Sequence, residues 1–415
     1  MFSKNSKLVR EDYLSLGSYF VPHSNTRIFL TFTSIIFFNA SISQVRTRYN
    51  FRTFMKKYSI LGIILGIFFP KAQSSDSLKT ENKVTFSAYA ELFYTYDFNE
   101  PANHLRQNFL YSYNRHNELN LNLGLIKANY QSENLRANVA LMAGTYAQDN
   151  MAAEQNALRY VNEANIGIRI SKNKNLWIDA GIMPSHIGWE SAIGKDNINL
   201  TRSFAAENSP YFETGAKVSY TSDNGKWFLS GLVLNGWQRI AKPEGNQTIS
   251  FGHQVTYKPT EKITLNSSSF IGNDKSKAEK RMRYFHDLYG NFQLTDQFSA
   301  LLGFDIGTEQ KEKGGSSYNI WYTPNVLMKY QLDSKWALAG RVEYYNDKNG
   351  VIISSKTPNG FQTFGYSLNV DYAILKNVVF RTEVRGFTSK DGIFVKNDEM
   401  KQGNFFITTS LAAWF

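Results

Sequence analysis

The ten residues WALAGRVEYY, at positions 336–345, decide the fold class of this chain. Two kinds of side chain alternate along them, which is the period-two pattern of a β-strand with two different faces. One face carries Arg341 and Glu343, and the other carries Leu338 and Val342. The stretch therefore predicts a strand that places charges on one side of a sheet and aliphatic groups on the other.

The same alternation runs through the chain after about residue 80. In NVVFRTEVRGF (377–387), Arg381, Glu383 and Arg385 share one face, and the last strand, NFFITTSLAAWF (404–415), ends its apolar face on Phe415. In ELNLNLGL (118–125), the four leucines are predicted to share a face, opposite the asparagines. Sixteen segments follow this rule: 84–98, 116–130, 133–147, 161–171, 174–184, 209–222, 225–237, 247–258, 261–273, 279–294, 296–309, 316–331, 334–347, 359–374, 376–389 and 402–415.

The connections between these segments alternate strictly between short and long. The longest follows the fifth segment and covers about residues 185–208. Such sorting places all short turns at one end of the sheet, which a soluble sandwich or propeller does not require. The pattern predicts an all-β fold: a transmembrane antiparallel up-and-down β-barrel of about 16 strands, with short periplasmic turns and long external loops.

The charges fix which face of each strand meets lipid. The opposite register would place Arg341, Arg381 and Arg385 in hydrocarbon, at roughly 2–4 kcal/mol each near the midplane. Charged residues are therefore predicted to line the lumen. Six of the seven tryptophans also lie near predicted strand ends, where aromatic rings favour a membrane interface.

The sequence before the barrel has a different character. Residues 55–73, MKKYSILGIILGIFFPKAQ, combine two lysines with a ten-residue apolar run and predict a signal peptide with cleavage near Ala72 and Gln73. The predicted organisation is a non-native or unstructured extension (1–54), the signal peptide (55–74), a short periplasmic segment (75–83) and the barrel (84–415). Residues 1–72 hold 10 basic and 2 acidic side chains, and the remainder holds 36 and 33, so the total charge of +11 does not argue for nucleic-acid binding.

No enzymatic constellation emerges from the sequence, and neither a cofactor nor a metal site is predicted. The chain has no cysteine and only six histidines, with no HExxH spacing and no G-x-S-x-G context. One alternative stays open: a barrel lipase needs a Ser–His pair on adjoining strands, and Ser267 or Ser269 could lie near His253 by strand adjacency.

Residues 180–237 carry a family resemblance. They include the turn Gly181–Glu190, Arg202-Ser203, Ser209-Pro210-Tyr211 and the sequence Leu234–Trp237. In these motifs the chain resembles the OmpL-like porin-2 family of β-barrel porins in Gram-negative outer membranes. The resemblance implies a pore in the cell outer membrane and names no solute.

The resemblance and the charges together give the functional prediction. We expect passive diffusion of small hydrophilic solutes or ions, narrowed by the loop after strand 5, which by analogy with general diffusion porins folds inward. The constriction candidates are Glu190, Lys195, Asp196, Arg202 and Glu207, and the predicted lumenal charge cluster is Arg341, Glu343, Arg381, Glu383 and Arg385. A salt-bridged wall is an equal interpretation of that cluster.

The expected partners are outer-membrane lipid and lipopolysaccharide, the barrel-insertion machinery through Phe415, and further copies of the chain. The alternative function is a barrel closed by its loops that serves as an adhesin or a structural anchor.

Overall fold

The computed structural model describes residues 82–415. The predicted N-terminal extension, the signal peptide with its cleavage site at Ala72 and Gln73, and most of the predicted periplasmic segment lie outside the described residues. Sixteen long strands and a two-stranded hairpin make up the β-structure: β1 Lys83–Asp97, β2 Leu119–Gln131, β3 Leu135–Ala143, β4 Val161–Arg169, β5 Asn175–Pro184, β6 Phe212–Thr221, β7 Trp227–Leu234, β8 Ser250–Thr260, β9 Ile263–Gly272, β10 Arg283–Gln293, β11 Phe298–Gln310, β12 Tyr318–Gln331, β13 Trp336–Asp347, β14 Phe361–Leu375, β15 Val378–Ser389, β16 Phe394–Lys396, β17 Glu399–Lys401 and β18 Gly403–Trp414.

The long strands form one closed barrel. Each pairs antiparallel with its neighbour in sequence, β18 follows β15, and β18 closes the ring against β1. Short turns of two to five residues connect each even-numbered strand from β2 to β14 to the strand that follows it. The other connections between barrel strands have seven to 27 residues. The predicted barrel, its strand number and its loop sorting are confirmed. The hairpin β16–β17, which lies in the last long loop, was not predicted.

The charged faces of the strands point into the barrel and their aliphatic faces point outward, as predicted. Arg341 and Glu343 on β13 are buried inside, while Leu338 and Val342 are exposed on the outer wall. On β18, Phe405 and Leu411 face outward and Phe406 faces inward. Because side chains alternate strictly along a strand, these few residues fix the direction of their whole strands.

One stretch departs from the predicted alternation. The register between β1 and β2 shifts so that Glu91 pairs with Leu123 and Leu92 pairs with Leu121, which leaves Asn122 as a bulge. The prediction that Leu119, Leu121, Leu123 and Leu125 share a face is therefore wrong. A bulge inserts one residue and reverses the facing beyond it, so Leu123 and Leu125 are buried inside the barrel.

The third predicted segment ends earlier than expected. Gly144 has φ +116°, a backbone conformation that favours glycine, and it stops β3. The short helix α1 (Thr145–Asn150) follows, and a second short helix, α2 (Phe204–Glu207), lies in the loop after β5. Among residues 82–415, no helix is long and apolar enough to cross a membrane.

The tryptophans divide between the two faces of the wall. Trp227 stacks on Tyr257, and Trp336 packs on Tyr372, on the outer wall near the short turns, as the predicted interface requires. Trp321 instead is buried among inward-facing side chains. Its position was predicted wrongly, because a strand end near a long loop offers an apolar interior as well as a membrane interface.

That interior is an apolar cluster at the long-loop end of the barrel. Phe361, Phe387 and Phe406 contribute from the wall, and loops contribute Phe109, Phe204, Ile353 and Phe394. Phe109 contacts Phe361 with ring centroids 4.8 Å apart, and Phe204 contacts Phe387 at 4.9 Å. Side chains from several loops thus meet inside the barrel, where they pack in edge-on and tilted geometries favourable to aromatic rings.

Candidate functional site

The loop between β5 and β6 (residues 185–211, the β5–β6 loop) reaches across the barrel. In the ring of sixteen strands, β13 lies eight strands from β5 in either direction, so these two strands are opposite each other. The loop nevertheless makes its densest hydrogen bonding with β13, β14 and β15. The segment therefore runs from one wall to the other and back.

Arginine side chains of the far wall bind the loop backbone. Arg341 donates to the carbonyl oxygen of Thr201 at 2.6 Å, and Arg385 donates to the carbonyl oxygen of Arg202 at 2.8 Å. The carboxylate of Glu343 accepts from the backbone N–H of Phe204 at 2.6 Å. These charge-assisted bonds fix the first turn of α2 against β13 and β15.

Arg381 binds the β5–β6 loop at an earlier point in the sequence. Its guanidinium donates to the carbonyl oxygens of Gly194 at 2.6 Å and of Asn197 at 3.1 Å. The same group donates to Asp371 on β14 at 2.6 Å. A side chain at position 194 would collide with Tyr113 and with Glu91 on β1, so glycine is what permits this close approach.

The charges of the predicted lumenal cluster are paired beneath the loop, Arg381 with Asp371 from outside the cluster and the other four with one another. Arg341 lies 2.9 Å from Glu383 and 3.2 Å from Glu343, and Arg385 lies 2.5 Å from Glu343. The two carboxylates and the three arginines, including Arg381, are all buried. These contacts favour the salt-bridged-wall interpretation: the cluster supports the loop and is not open to solute.

A histidine anchors the start of the loop. His186 Nδ1 lies 2.6 Å from a carboxylate oxygen of Glu213 on β6, and its Nε2 lies 2.8 Å from the carbonyl oxygen of Ser269 on β9. Both partners are placed to accept, and a ring that donates to both of them must be the imidazolium. Burial lowers the pKa of His186, but the Glu213 carboxylate outweighs that effect and the net pKa is raised.

The five predicted constriction residues fall into two groups. Glu190 accepts from the backbone N–H of Ser203 at 3.0 Å, and Arg202 lies 3.6 Å from Glu207 and 3.9 Å from the ring centre of Tyr211. These three charges are buried. Lys195 and Asp196 differ, since their side chains are 26% and 47% exposed and pair with each other at 2.5 Å.

Burial also affects the protonation of Glu190. Removal from water raises the pKa of this carboxyl, while the guanidinium of Arg341 and the bonds from Ser203 oppose the rise. Glu190 connects the beginning of the β5–β6 loop to its helix α2, because its partner Ser203 is the N-cap of α2. Ser203 also accepts from the N–H of Ala206. The capping Ser203 and the phenolic residues around Arg202 were not predicted, since aromatic partners from separate loops leave no local pattern.

Much of the site could not have been found from residue types. The wall arginines bind main-chain carbonyl groups of residues 194–202, and a carbonyl oxygen has no sequence signature. Within residues 82–415 no group of three or more His, Asp or Glu side chains is placed to hold a metal ion.

Comparison with known proteins gives both a family and a fold. A family model described as "Putative beta-barrel porin-2, OmpL-like" matches residues 83–415. No curated relative matches significantly. Solved structures with the same fold include a loop-deletion mutant of OmpT, an outer membrane protein of Vibrio cholerae, with TM-score 0.53, 9% identity and coverage of 80% of this chain and 99% of that chain.

Two further solved structures share this barrel fold. The anion-selective porin of Comamonas acidovorans has TM-score 0.52 and 10% identity, and covers 81% of this chain and 100% of its own. The outer membrane channel DcaP of Acinetobacter baumannii has TM-score 0.51 and 11% identity, and covers 80% and 97%. At such low identity the likeness extends to the fold alone.

Proposed function

Because the chain belongs to the OmpL-like porin-2 family of outer-membrane β-barrels, we propose that it is a passive porin whose lumen is narrowed by the β5–β6 loop. Small hydrophilic solutes or ions pass through the remaining space by diffusion. The protein carries out no chemical reaction. A barrel of sixteen strands is wide enough for an aqueous channel, whereas one of eight is filled by its own side chains.

The anchoring of the β5–β6 loop to the opposite wall supports this proposal most strongly. The loop is bound at both ends of its crossing, by His186 near β9 and by Arg341 and Arg381 on the far side. A segment so fixed narrows the lumen permanently. Lys195 and Asp196, which remain exposed on it, then present one positive and one negative charge to passing solute.

The barrel wall also carries ion pairs that face the water-filled lumen. In three pairs the basic side chain is 25–30% exposed inside the barrel and its acidic partner 6–11% exposed: Lys127–Glu163, Arg136–Asp179 and Lys329–Asp371. A lumen lined in this way favours hydrophilic solutes, and the greater exposure of the cations gives a modest preference for anions.

A specific observation favours a second candidate, the loop-closed barrel that acts as an adhesin or anchor. Phe109, Ile353 and Phe394 reach the apolar cluster from three different loops and meet Phe204 of the β5–β6 loop there. Apolar groups from four loops that pack together inside the barrel would also serve to close its long-loop end.

Single-channel recording separates the two functions. We expect the mature protein, refolded and inserted into a planar bilayer, to give stable ohmic steps. A folded barrel, recognised by its heat-modifiable mobility on gels, that gives no steps would overturn the porin proposal and favour the closed barrel. The measurement needs no knowledge of the natural solute.

We also propose an export route for the chain. Residues 55–74 act as the cleaved signal peptide, translation begins at Met55, and Phe415 on the amphipathic strand β18 is recognised by the barrel-insertion machinery. Further copies of the chain, lipid and lipopolysaccharide are the proposed partners in the membrane. N-terminal sequencing of the exported protein tests the proposed cleavage, and a mature N-terminus at or before residue 54 contradicts the export route.

A further inference from the structure

Four polar side chains lie on the outer wall, on three adjacent strands. They are His253 on β8, Ser267 and Ser269 on β9, and His286 on β10, called here the outer-wall cluster. The inward side of the same strands is marked by Asn266, which is buried and donates to Asp287 in the barrel interior at 3.2 Å. Strict alternation then turns the four polar residues outward.

The members of the cluster contact one another. In the strand register, Ser269 is paired with His253 on one side and with His286 on the other. The Ser269 hydroxyl lies 2.5 Å from His253 Nδ1, and the Ser267 hydroxyl lies 3.2 Å from His286 Nε2. The two imidazole rings are 5.9 Å apart between centroids.

Apolar side chains frame the cluster on the same outer surface. Towards the long loops lie Phe251, Ile271 and Tyr284, and towards the short turns lie Leu265 and Leu288, all of them exposed. Polar groups in hydrocarbon require hydrogen-bond partners. Within the described chain each imidazole bonds through only one nitrogen, so the second nitrogen of each ring is free to bind an external group.

The depth of the cluster in the membrane indicates what that group is. His253 and Ser269 each lie three residues from the long-loop end of their strands. At about 3.3 Å per residue and a tilt near 45°, this is roughly 7 Å below the strand end. Tyr284, which packs on Tyr318 at 6.0 Å, lies just above and fits an aromatic girdle at the interface.

We propose that the outer-wall cluster is a binding site for a phosphate- and ester-bearing membrane lipid. With each serine hydroxyl donating to its histidine, the free imidazole N–H of each ring donates to a lipid acceptor oxygen at the level of the aromatic girdle. The acyl chains then lie over Leu265 and Leu288. A second copy of the chain fits less well, because the cluster lies only two residues below Tyr284, where the polar layer of the lipid begins.

The Ser269–His253 contact has the spacing of a nucleophile and its base, as the lipase alternative required. Two further parts of such a site are missing from residues 82–415. Neither imidazole has a carboxylate or amide on its second nitrogen, and the backbone N–H groups here belong to the strand ladder and cannot stabilise an oxyanion. The cluster is therefore assigned to binding and not to hydrolysis.

Native mass spectrometry of the refolded barrel tests the assignment, with phosphatidylglycerol titrated into the detergent micelles. We expect the double variant His253→Leu/His286→Leu to bind the lipid about tenfold more weakly, as the loss of two hydrogen bonds implies. Leucine suits a lipid-facing position, so folding is preserved. The matched control is Thr382→Leu/Thr409→Leu, another outward pair in direct register, on β15 and β18.

A diether phosphatidylglycerol identifies the bound oxygens. Binding that weakens with the diether lipid supports recognition of the ester carbonyl groups, and unchanged binding supports recognition of the phosphate. Three results would overturn the proposal: equal lipid affinity in the cluster variant and the wild type, an oligomer that needs the cluster but holds no lipid, or release of fatty acid that depends on Ser269.

Discussion

A buried proton on His186 holds the beginning of the β5–β6 loop. The ring is hydrogen-bonded to Glu213 and to the carbonyl oxygen of Ser269, and Asp287 adds a further favourable charge. Neutral imidazole can satisfy only one of these two acceptors as a donor. The attachment of the loop to β9 should therefore depend on pH.

The variant His186→Gln tests this dependence. The pKa of His186 is raised in the folded barrel, so its stabilisation is fully present below the ordinary value near 6.5 and is lost as the pH rises through the folded value. We expect the wild type to exceed the variant by about 1–3 kcal/mol of unfolding free energy at pH 6, and by less at pH 9. Urea unfolding in lipid vesicles measures the difference. A gap that stays constant or widens with pH would contradict the imidazolium assignment.

Residue types alone predicted the charges but not their partners. Arg341, Arg381 and Arg385 were placed inside the barrel, because lipid excludes them, and the structure confirms that side. Their binding to the carbonyl groups of the loop could not be predicted, since any residue supplies the same acceptor. Burial of Glu190, Arg202 and Glu207 was missed for a related reason: their partners come from several loops.

At the scale of elements, the loop and strands β13–β15 form one unit. Arg341 connects them, because it binds Thr201 in the loop and pairs with Glu343 and Glu383 on the wall. Removal of one partner from a buried ion pair leaves an uncompensated charge. The wall should thus lose stability together with the loop.

The variant Arg341→Met keeps the side-chain volume and removes the charge. We expect it to lower the unfolding free energy by about 3–5 kcal/mol and to expose the β5–β6 loop to proteolysis. Lys329→Met is the control, since Lys329 lies 3.2 Å from Asp371 but is partly exposed, and its loss should cost about 1 kcal/mol or less. Equal losses in the two variants would show that Arg341 does not hold the loop.

Strand boundaries could be predicted where the alternation is regular and failed where the backbone departs from it. β13 was expected over 334–347 and is Trp336–Asp347. The bulge at Asn122 and the end of β3 at Gly144 depend on local backbone geometry, which hydrophobic periodicity does not record.

At the scale of the whole molecule, closure of the barrel followed from loop sorting and from the charges. The packing of the loops inside the barrel could not be predicted in this way, because contacts among Phe109, Phe204 and Phe394 join residues far apart in the sequence. The same contacts decide between a narrowed pore and a closed one, so the width of the lumen must be measured beside the β5–β6 loop.

The most direct test uses the absence of cysteine from the chain. Lys195→Cys places a single thiol on the exposed part of the β5–β6 loop, and Asp223→Cys places one in the exposed turn after β6 as the control. A bulky methanethiosulfonate reagent is added during single-channel recording. We expect modification at position 195 to lower the conductance by at least a third and modification at position 223 to leave it unchanged. Open channels whose conductance does not respond at position 195, with labelling verified by mass, would contradict a lumen narrowed by this loop.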